Sequence, residues 1–272
     1  MSLRTSQWPA GVPCWADLTA PDMDAAKAFY ADVLGWDFIQ FGEEYGGYAI
    51  AQVRGAAVAG IGPHQSAHPS AWTMYFAGDD VDAIAAAITA EGGMLTLAPG
   101  DVGPMGRMCL ALDPTGAAFG VWQAGQHFGA GLVNEPGGLT WEDLRSTDPD
   151  AARAFYRAVF GFVTNPLDMA GPDYQTFHSA EGQPPLGGMG GMMGGLEGID
   201  GIPSHWLLYF AVASAAAAAE AAAEAAGKRG GGVVAQPFQT PFGTMAGFTD
   251  PGGALFWVVQ RPDGAREPDR AG

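Results

Sequence analysis

The chain has 272 residues, 48% of them hydrophobic, which is enough to form the cores of two domains of ordinary size. It carries 12 basic and 29 acidic residues, for a formal net charge of −17. Such a surface repels nucleic-acid phosphates and anionic lipid headgroups, which argues against nucleic-acid and membrane partners. Two cysteines, Cys14 and Cys109, cannot form a disulfide framework, and no signal-peptide pattern opens the sequence, so we expect a cytoplasmic protein with free thiols.

The chain is a tandem duplication. Trp15-Ala16-Asp17-Leu18 recurs as Trp141-Glu142-Asp143-Leu144, and Phe29-Tyr30 recurs as Phe155-Tyr156, a common offset of 126 residues (141 − 15 and 156 − 30). Each copy opens with a strand, predicted over 12–19 in the first. A helix follows it, over 23–34 or 149–160, preceded by Asp22 or Asp148 as N-cap and followed by Gly35 or Gly161.

Two shorter versions of the same pattern lie between these copies. Residues 71–76 and 205–210 are strand-like, and helices are predicted over 81–91 and 215–226. Glycine-punctuated strands follow, with an Asp-Pro turn at Asp113 and another at Asp250. This order predicts four βαβββ modules in an α+β fold. The modules form a first domain of residues 1–130 and a second of 131–263, followed by a disordered tail of 264–272.

The composition also predicts the connections between modules. Segments 60–70, 125–138 and 187–204 are predicted to be linkers, and the glycine-rich runs 187–191 and 227–230 are predicted to be loops.

These features resemble the vicinal oxygen chelate superfamily of glyoxalase I, bleomycin-resistance proteins and extradiol dioxygenases, in particular a two-domain group that includes a culture-filtrate antigen. The resemblance is carried by Leu18 followed by Asp22, by Ala28-Phe29-Tyr30 running into Leu34-Gly35-Trp36, and by the turn Asp113-Pro114-Thr115-Gly116. It implies two cupped eight-stranded mixed sheets with helices outside and a pocket in each cup. Modules could pair within a half or between halves, and the chain could be a monomer or a homodimer.

The resemblance also implies metal-ligand positions on the first and last strands of paired modules. Those positions hold Trp15, Thr73, Trp141, Leu207, Gly120 and Trp257, none of which is a usual ligand. No metal or other cofactor is therefore predicted. Among the histidines, His64, His68, His127 and His205 are expected in surface or linker positions. His178 lies in a strand-like segment where a ligand role stays open, without recognisable partners.

Because alternate residues of a strand share a face, the carboxylates Asp17 and Asp143 should point into the cups with the tryptophans. The predicted ligand-binding residues are Trp15, Asp17, Thr73, Tyr75, Trp122, Trp141, Asp143, Tyr209 and Trp257. Indole faces beside a carboxylate suit a planar or cationic ligand, and the alternative is that these rings only fill the cups as core. The Arg107 side chain could reach the rim of the first cup. Tyr30 and Tyr156 could line a pocket, lie at an interface or pack at the ends of their helices.

The favoured function is therefore binding of a small aromatic or cationic molecule in a metal-free aromatic pocket, in the manner of bleomycin-resistance proteins. The alternative is a metal-dependent lyase, isomerase or dioxygenase of the same superfamily. A third possibility is a metal-free catalyst with Asp17 or Asp143 as general base, since a carboxylate beside indoles can have a raised pKa.

Overall fold

A computed structural model describes residues 3–63, 69–171, 173–192 and 202–262. It contains two eight-stranded mixed sheets, each built from two βαβββ modules, as the sequence predicts. Within the described ranges, no helix combines the length and apolar character needed to cross a membrane. The helices are α1 (Met23–Leu34), α2 (Val81–Ala90), α3 (Pro149–Phe160) and α4 (Ala215–Arg229).

The first sheet is formed by residues 13–124 and the second by residues 139–260. The first comprises β1 (Pro13–Ala20), β2 (Asp37–Gln40), β3 (Ala49–Val53), β4 (Ala56–Pro63), β5 (Ala71–Ala77), β6 (Met94–Val102), β7 (Gly106–Leu112) and β8 (Ala118–Ala124). The second comprises β9 (Leu139–Ser146), β10 (Val163–Pro166), β11 (Gln175–His178), β12 (Pro185–Gly191), β13 (His205–Ala211), β14 (Gly232–Thr240), β15 (Gly243–Thr249) and β16 (Leu255–Gln260). The predicted tail of 264–272 lies outside the described residues.

The strand order is the same in both sheets. The first sheet runs β2-β3-β4-β1-β5-β8-β7-β6 and the second runs β10-β11-β12-β9-β13-β16-β15-β14. The opening strands β1 and β5 pair antiparallel at the centre of the first sheet, and β9 and β13 do so in the second. Modules therefore pair within a half, which decides between the two pairings that the sequence leaves open.

The helix ends follow from local chemistry. The Asp22 carboxylate accepts hydrogen bonds from the backbone N–H groups of Asp24 and Ala25, and Gly35 adopts the left-handed conformation (φ 69°) that ends α1. Asp148 caps α3 in the same way. The fourth helix continues to Arg229, so the prediction of a loop over 227–230 is wrong for its first three residues.

Two further predictions of linkers need correction. Residues 60–63 belong to β4 and residues 187–191 to β12, so the glycine-rich run is a strand and not a loop. Glycine is disfavoured in strands by propensity alone, which is why composition misplaced both segments. It is retained where another group approaches the backbone closely, and the tyrosines described below do so.

The helix-side faces of the two sheets form one continuous core. The residues that alternate with the cup residues along β1, β5 and β8 are all fully buried in it: Ala16, Leu18, Met74, Phe76, Phe119 and Val121. Helix α1 packs against α4, and α2 against α3. The Phe76 ring in β5 packs against the rings of Tyr156 and Trp206, which belong to the second half. The helices thus lie outside the cups, as predicted, and are shared between the halves.

The helix tyrosines Tyr30 and Tyr156 are interface residues. Both are fully buried, and each hydroxyl accepts a hydrogen bond from an indole N–H, of Trp72 (3.0 Å) and Trp206 (2.9 Å) respectively. The Tyr30 hydroxyl lies beside Asp250 of the second half, and that of Tyr156 beside Asp113 of the first. These two contacts join the Asp-Pro turn of each half to a helix of the other.

Candidate ligand-binding cups

The first cup is the concave face of the first sheet, and strand register brings its predicted residues together. Trp15 stands opposite Tyr75, and Asp17 opposite Thr73, on the central strands β1 and β5. Tyr75 pairs on its other side with Gly120 of β8, and Trp122 follows two residues later on the same face. Trp15, Tyr75 and Trp122 are buried, whereas Asp17 and Thr73 are half-buried.

A hydrogen-bonded cluster surrounds the Asp17 carboxylate. The Tyr75 hydroxyl donates to Asp17 Oδ2 (3.1 Å), the Tyr48 hydroxyl also bonds to this carboxylate, and Trp15 Nε1 donates to the Tyr48 oxygen (3.0 Å). Part of the Asp17 surface stays accessible, but rings and hydroxyls enclose the carboxylate, and burial raises its pKa to about 7. The sequence prediction missed Tyr48, the residue that links the tryptophan to the carboxylate.

Two glycines make room for the tyrosines. A Cβ atom at Gly60 would lie only 1.6 Å from the Tyr48 hydroxyl oxygen, and one at Gly120 would lie 2.2 Å from the Tyr75 ring. Any larger side chain at these positions would therefore displace the rings. The glycines of β4 and β8 are consequently part of the cup's construction.

His127 lies in the predicted linker after β8, but its ring packs against the first cup and does not project from the surface. Its ring centroid is 4.5 Å from that of Trp15 and 5.7 Å from that of Trp122, and Trp122 Nε1 donates to the His127 carbonyl (2.8 Å). Burial lowers the pKa of His127 to about 4, so its imidazole is neutral at pH 7. Its Nε2 atom is buried and has no hydrogen-bond partner in the described part of the chain.

The second cup repeats the cluster with one additional charge. The Asp143 carboxylate accepts from Trp141 Nε1 (2.8 Å), from the Tyr209 hydroxyl (3.0 Å) and from the Tyr174 hydroxyl. It also forms an ion pair with Arg145 at 2.6 Å, in which only 4% of the Asp143 side chain and 13% of the Arg145 side chain are exposed. In contrast to Asp17, Asp143 is therefore neutralised by a buried guanidinium.

The duplication identifies the equivalent positions. Tyr48 and Tyr174 are related by the same 126-residue offset (174 − 48) as the tryptophans, so the repeat contained a signal for both missed residues. Arg145 corresponds to Thr19, which explains why the first cup lacks the ion pair. On the last strands, register places Trp257 beside Tyr209 where the first cup has Gly120 beside Tyr75. The two cups share a frame and differ in charge and hydrogen bonding.

Comparisons with known proteins agree with this duplicated architecture. A family model described as Glyoxalase/Bleomycin resistance protein/Dioxygenase superfamily matches the chain twice, over residues 14–142 and 127–258. The chain belongs to this superfamily. CFP32, a candidate glyoxylase of Mycobacterium tuberculosis (strain CDC 1551 / Oshkosh), is 39% identical over 94% of this chain and 97% of CFP32. The anthracycline biosynthesis protein DnrV of Streptomyces peucetius is 33% identical over 95% of this chain and 96% of DnrV.

Solved structures of superfamily members share the fold. The Mn(II)-bound glyoxalase from Novosphingobium aromaticivorans superposes with a TM-score of 0.64 at 19% identity, covering 93% of this chain and 83% of that one. The 2,3-dioxygenase LapB from Pseudomonas sp. KL28 gives 0.62 at 16% identity, covering 97% and 98%. At these identities the likeness concerns the fold alone.

The donor set of this superfamily member does not fit a divalent metal ion. Within the described ranges, no three His, Cys, Asp or Glu side chains come close enough together to hold one. Each cup offers one carboxylate, and tyrosine hydroxyls direct hydrogens toward it. Both ring nitrogens of His178 are engaged, with Thr176 Oγ1 (2.8 Å) and the Gln183 carbonyl (2.7 Å).

The other candidate residues lie away from the cup interiors or outside the described chain. The histidines of the predicted first linker, His64 and His68, are outside the described residues, and His205 Nδ1 is bonded to the Pro203 carbonyl (2.8 Å). Cys14 and Cys109 are buried and free, and burial raises the pKa of Cys109 to about 11. Arg107 pairs with Asp82 and Asp101 at 2.9 and 2.6 Å.

A surface depression of about 230 Å³ lies where β6 and β8 end and β7 begins. Asp101, Arg107, Gln123 and Gly106 are among its lining residues. Its polar side chains face α2 and not the cup, because Arg107 donates to Asp82 and the Gln123 side-chain oxygen accepts from the Val81 N–H. The centre of the cup is filled by its own rings, since Trp15 and Tyr75 are each only 4% exposed. The depression is therefore separate from the cup interior.

Proposed function

We propose that this protein binds a small planar aromatic molecule carrying a cationic amine in the first cup, without a metal ion. The observation that carries the proposal is Asp17, a carboxylate enclosed by aromatic rings and bonded, among the described residues, to neutral hydroxyl groups and not to a cation. Such a carboxylate lacks a counter-charge, and a ligand ammonium group would supply one. The surrounding indole and phenol rings offer stacking surfaces and cation–π contacts to the same ligand.

Two further observations favour a cation. His127 is neutral at pH 7, and its Nε2 atom, which has no hydrogen-bond partner among the described residues, is an acceptor when the proton is on Nδ1. The chain as a whole carries a net charge of −17. A negative protein field raises the local concentration of cationic ligands. The acceptor groups of the first cup and the negative charge of the chain thus both favour a cation.

One relative supports the aromatic part of the proposal. DnrV, 33% identical over nearly the full length, is named as an anthracycline biosynthesis protein. Anthracyclines are planar polycyclic compounds, and many carry an amino sugar. They therefore combine the two chemical features that the first cup would recognise, and they are suitable probes.

The test compares an amino-sugar anthracycline with its aglycone, which keeps the planar rings and lacks the amine, by isothermal titration calorimetry. We expect the amine-bearing compound to bind at least tenfold more tightly at pH 8. Asp17→Asn should abolish that difference, whereas Asp168→Asn, at an exposed carboxylate outside the cups, should leave it intact. Equal affinities for the two compounds, or a preference that survives Asp17→Asn, would refute cation recognition by Asp17.

The metal-free part of the proposal has its own test. The purified protein is dialysed after incubation with manganese, zinc, nickel or iron, and its metal content is then measured. We expect no stoichiometric retention, because the described donors do not form a chelating group. Retention of one ion per chain would favour the alternative, a metal-dependent lyase, isomerase or dioxygenase.

A further inference from the structure

The second cup contains buried hydrogen-bond donors that lack acceptors. Trp257 is 2% exposed, and its Nε1 atom has no partner among the described residues. The Nε atom of Arg145 is also buried and unpaired within the described ranges. A buried N–H group that has lost its water without gaining an acceptor destabilises the protein, and such groups are rare. Two of them in one cup indicate that an acceptor is missing.

The two donors belong to one arrangement on the concave face. The Trp257 and Tyr209 ring centroids are 6.2 Å apart on the paired strands β16 and β13. The Tyr209 hydroxyl donates to Asp143 Oδ2, and Arg145 Nη2 donates to the same oxygen. Trp257 and Arg145 are thereby connected through Tyr209 and Asp143 across the centre of the sheet.

The charge balance selects the kind of acceptor. Asp143 and Arg145 form a close ion pair, so this cup has no uncompensated positive charge for an anion. Its unpaired hydrogens need an oxygen atom, and the half-buried Trp141 ring, which packs against Tyr209 and Trp257, can stack on a flat aromatic ligand. We propose that the second cup binds a neutral planar aromatic compound bearing a conjugated carbonyl oxygen, which accepts a hydrogen bond from Trp257 Nε1.

One of the side chains that cover Trp257 is partly exposed. Phe238 lies edge-on to the indole, at 5.8 Å and 86° between ring planes, and is 43% exposed. It is carried by β14, the edge strand of the sheet, whose pairing with β15 shifts register twice before Phe238. Displacing this partly exposed ring would therefore open one side of the indole to a ligand carbonyl.

This inference goes beyond the function proposed for the first cup and concerns a different site. The first cup has Gly120 where the second has Trp257, and Thr19 where the second has Arg145, so it cannot present the same donors. One cup is rich in acceptors and the other in donors. The duplication would then have produced two sites of opposite hydrogen-bonding character in one chain.

The experiment uses three naphthalene probes of the same shape: 2-acetylnaphthalene, 2-ethylnaphthalene and 2-naphthoate, which carry a neutral carbonyl, no acceptor and a carboxylate. Affinities are measured by calorimetry with the full-length protein. We expect 2-acetylnaphthalene to bind about tenfold more tightly than either of the others, because only it provides a neutral acceptor. Trp257→Phe keeps a ring and removes the N–H, and should reduce this preference to less than twofold.

Two control variants keep the result interpretable. Trp8→Phe makes the same change at a buried indole of the main core, whose N–H is bonded to the Ala130 carbonyl, and should keep the tenfold preference. Asp17→Asn should also keep it, which separates this inference from the first-cup proposal. Phe238→Ala should strengthen 2-acetylnaphthalene binding by exposing the indole.

Three results would overturn the inference. Equal binding of 2-acetylnaphthalene and 2-ethylnaphthalene would show that no donor is used. A preference unchanged by Trp257→Phe would place the donor elsewhere, and tighter binding of 2-naphthoate would show that the cup recognises an anion. If Trp257→Phe lowers the melting temperature markedly, the comparison of Phe238→Ala with the parent protein still tests access to the indole.

Discussion

At the scale of single residues, the two cup carboxylates differ through their neighbours. Asp17 and Asp143 occupy equivalent positions, and each is bonded to two tyrosine hydroxyls. Only Asp143 has a guanidinium partner, at 2.6 Å. Because a buried carboxylate is stabilised mainly by its counter-charge, the same substitution at the two positions should have opposite effects on stability.

Asp17→Asn should stabilise the protein above neutral pH. The folded-state pKa of Asp17, about 7, lies above its ordinary value of 3.8. The stability associated with its protonation is therefore fully present below pH 3.8 and is lost as pH rises to about 7. With partial exposure taken into account, we expect a gain of about 2 kcal/mol at pH 8 from the uncharged amide and almost none at pH 4. Urea unfolding at the two pH values measures this, and a gain that is equal at both would contradict it.

Asp143→Asn should destabilise the protein at neutral pH. The substitution leaves the Arg145 guanidinium buried without its counter-charge, which typically costs about 3 to 5 kcal/mol. Arg145→Met in the same background removes the stranded charge and should restore part of the loss, because an apolar side chain of similar length can fill its place. Urea unfolding at pH 7 of the single and double variants tests this, and a double variant no more stable than Asp143→Asn alone would argue against the charge as the cause.

At the scale of elements, the glycines of β4 and β12 are explained by the tyrosines that cross them. A Cβ atom at Gly188 would lie 1.8 Å from the Tyr174 hydroxyl and 2.6 Å from Asp143 Oδ1, the counterpart of the contact between Gly60 and Tyr48. A strand of low β-propensity is thus fixed by a side chain from its neighbour. Tyr48 and Tyr174 stand immediately before β3 and β11, the strands next to the edge strands β2 and β10, and hold the glycine strands against the central ones.

Gly188→Ala should therefore destabilise the protein, because the Tyr174 side chain crosses β12 at this glycine. The added methyl group displaces the Tyr174 hydroxyl from Asp143, and we expect a loss of about 2 to 3 kcal/mol. In a Tyr174→Leu background the same change should cost less than about 1 kcal/mol, since the hydroxyl is already absent. A double-mutant cycle by urea unfolding measures the difference. Additive losses would mean that the alanine acts through the backbone and not through the tyrosine.

The helices and the central strands could be predicted from the sequence because their signals are local. Caps at Asp22 and Asp148, the exit glycine Gly35 and alternation of side chains along β1 and β5 need no knowledge of distant residues. Tyr48 and the glycine run over 187–191 were missed because their role exists only across strands, between residues more than a dozen positions apart. Their clue was the repeat offset, which relates Tyr48 to Tyr174 even though the flanking residues differ.

At the scale of the whole molecule, the duplication produced two cups and a single core. Each helix-side face is covered by helices and rings of both halves, as the fully buried Phe76 illustrates. Its ring contacts those of Tyr156, Phe160, Phe162, Phe177 and Trp206, all from the second half. The sequence of one half alone does not show this arrangement, because it does not indicate which residues of the other half cover the helix-side face of its sheet. Since the halves bury their apolar surfaces against each other, they should unfold together.

Phe76→Ala tests this coupling directly. Removing a fully buried phenylalanine ring should destabilise the protein by about 3 to 5 kcal/mol. Because most of its ring contacts lie in the other half, hydrogen exchange followed by mass spectrometry should show faster exchange in β9 and β13 as well as in β1 and β5, by similar factors. Met169→Ala, at a side chain 63% exposed, is the control and should leave exchange in both sheets unchanged. Faster exchange confined to the first sheet would show that the halves unfold independently, and the two cups would then have separate stabilities as well as separate chemistry.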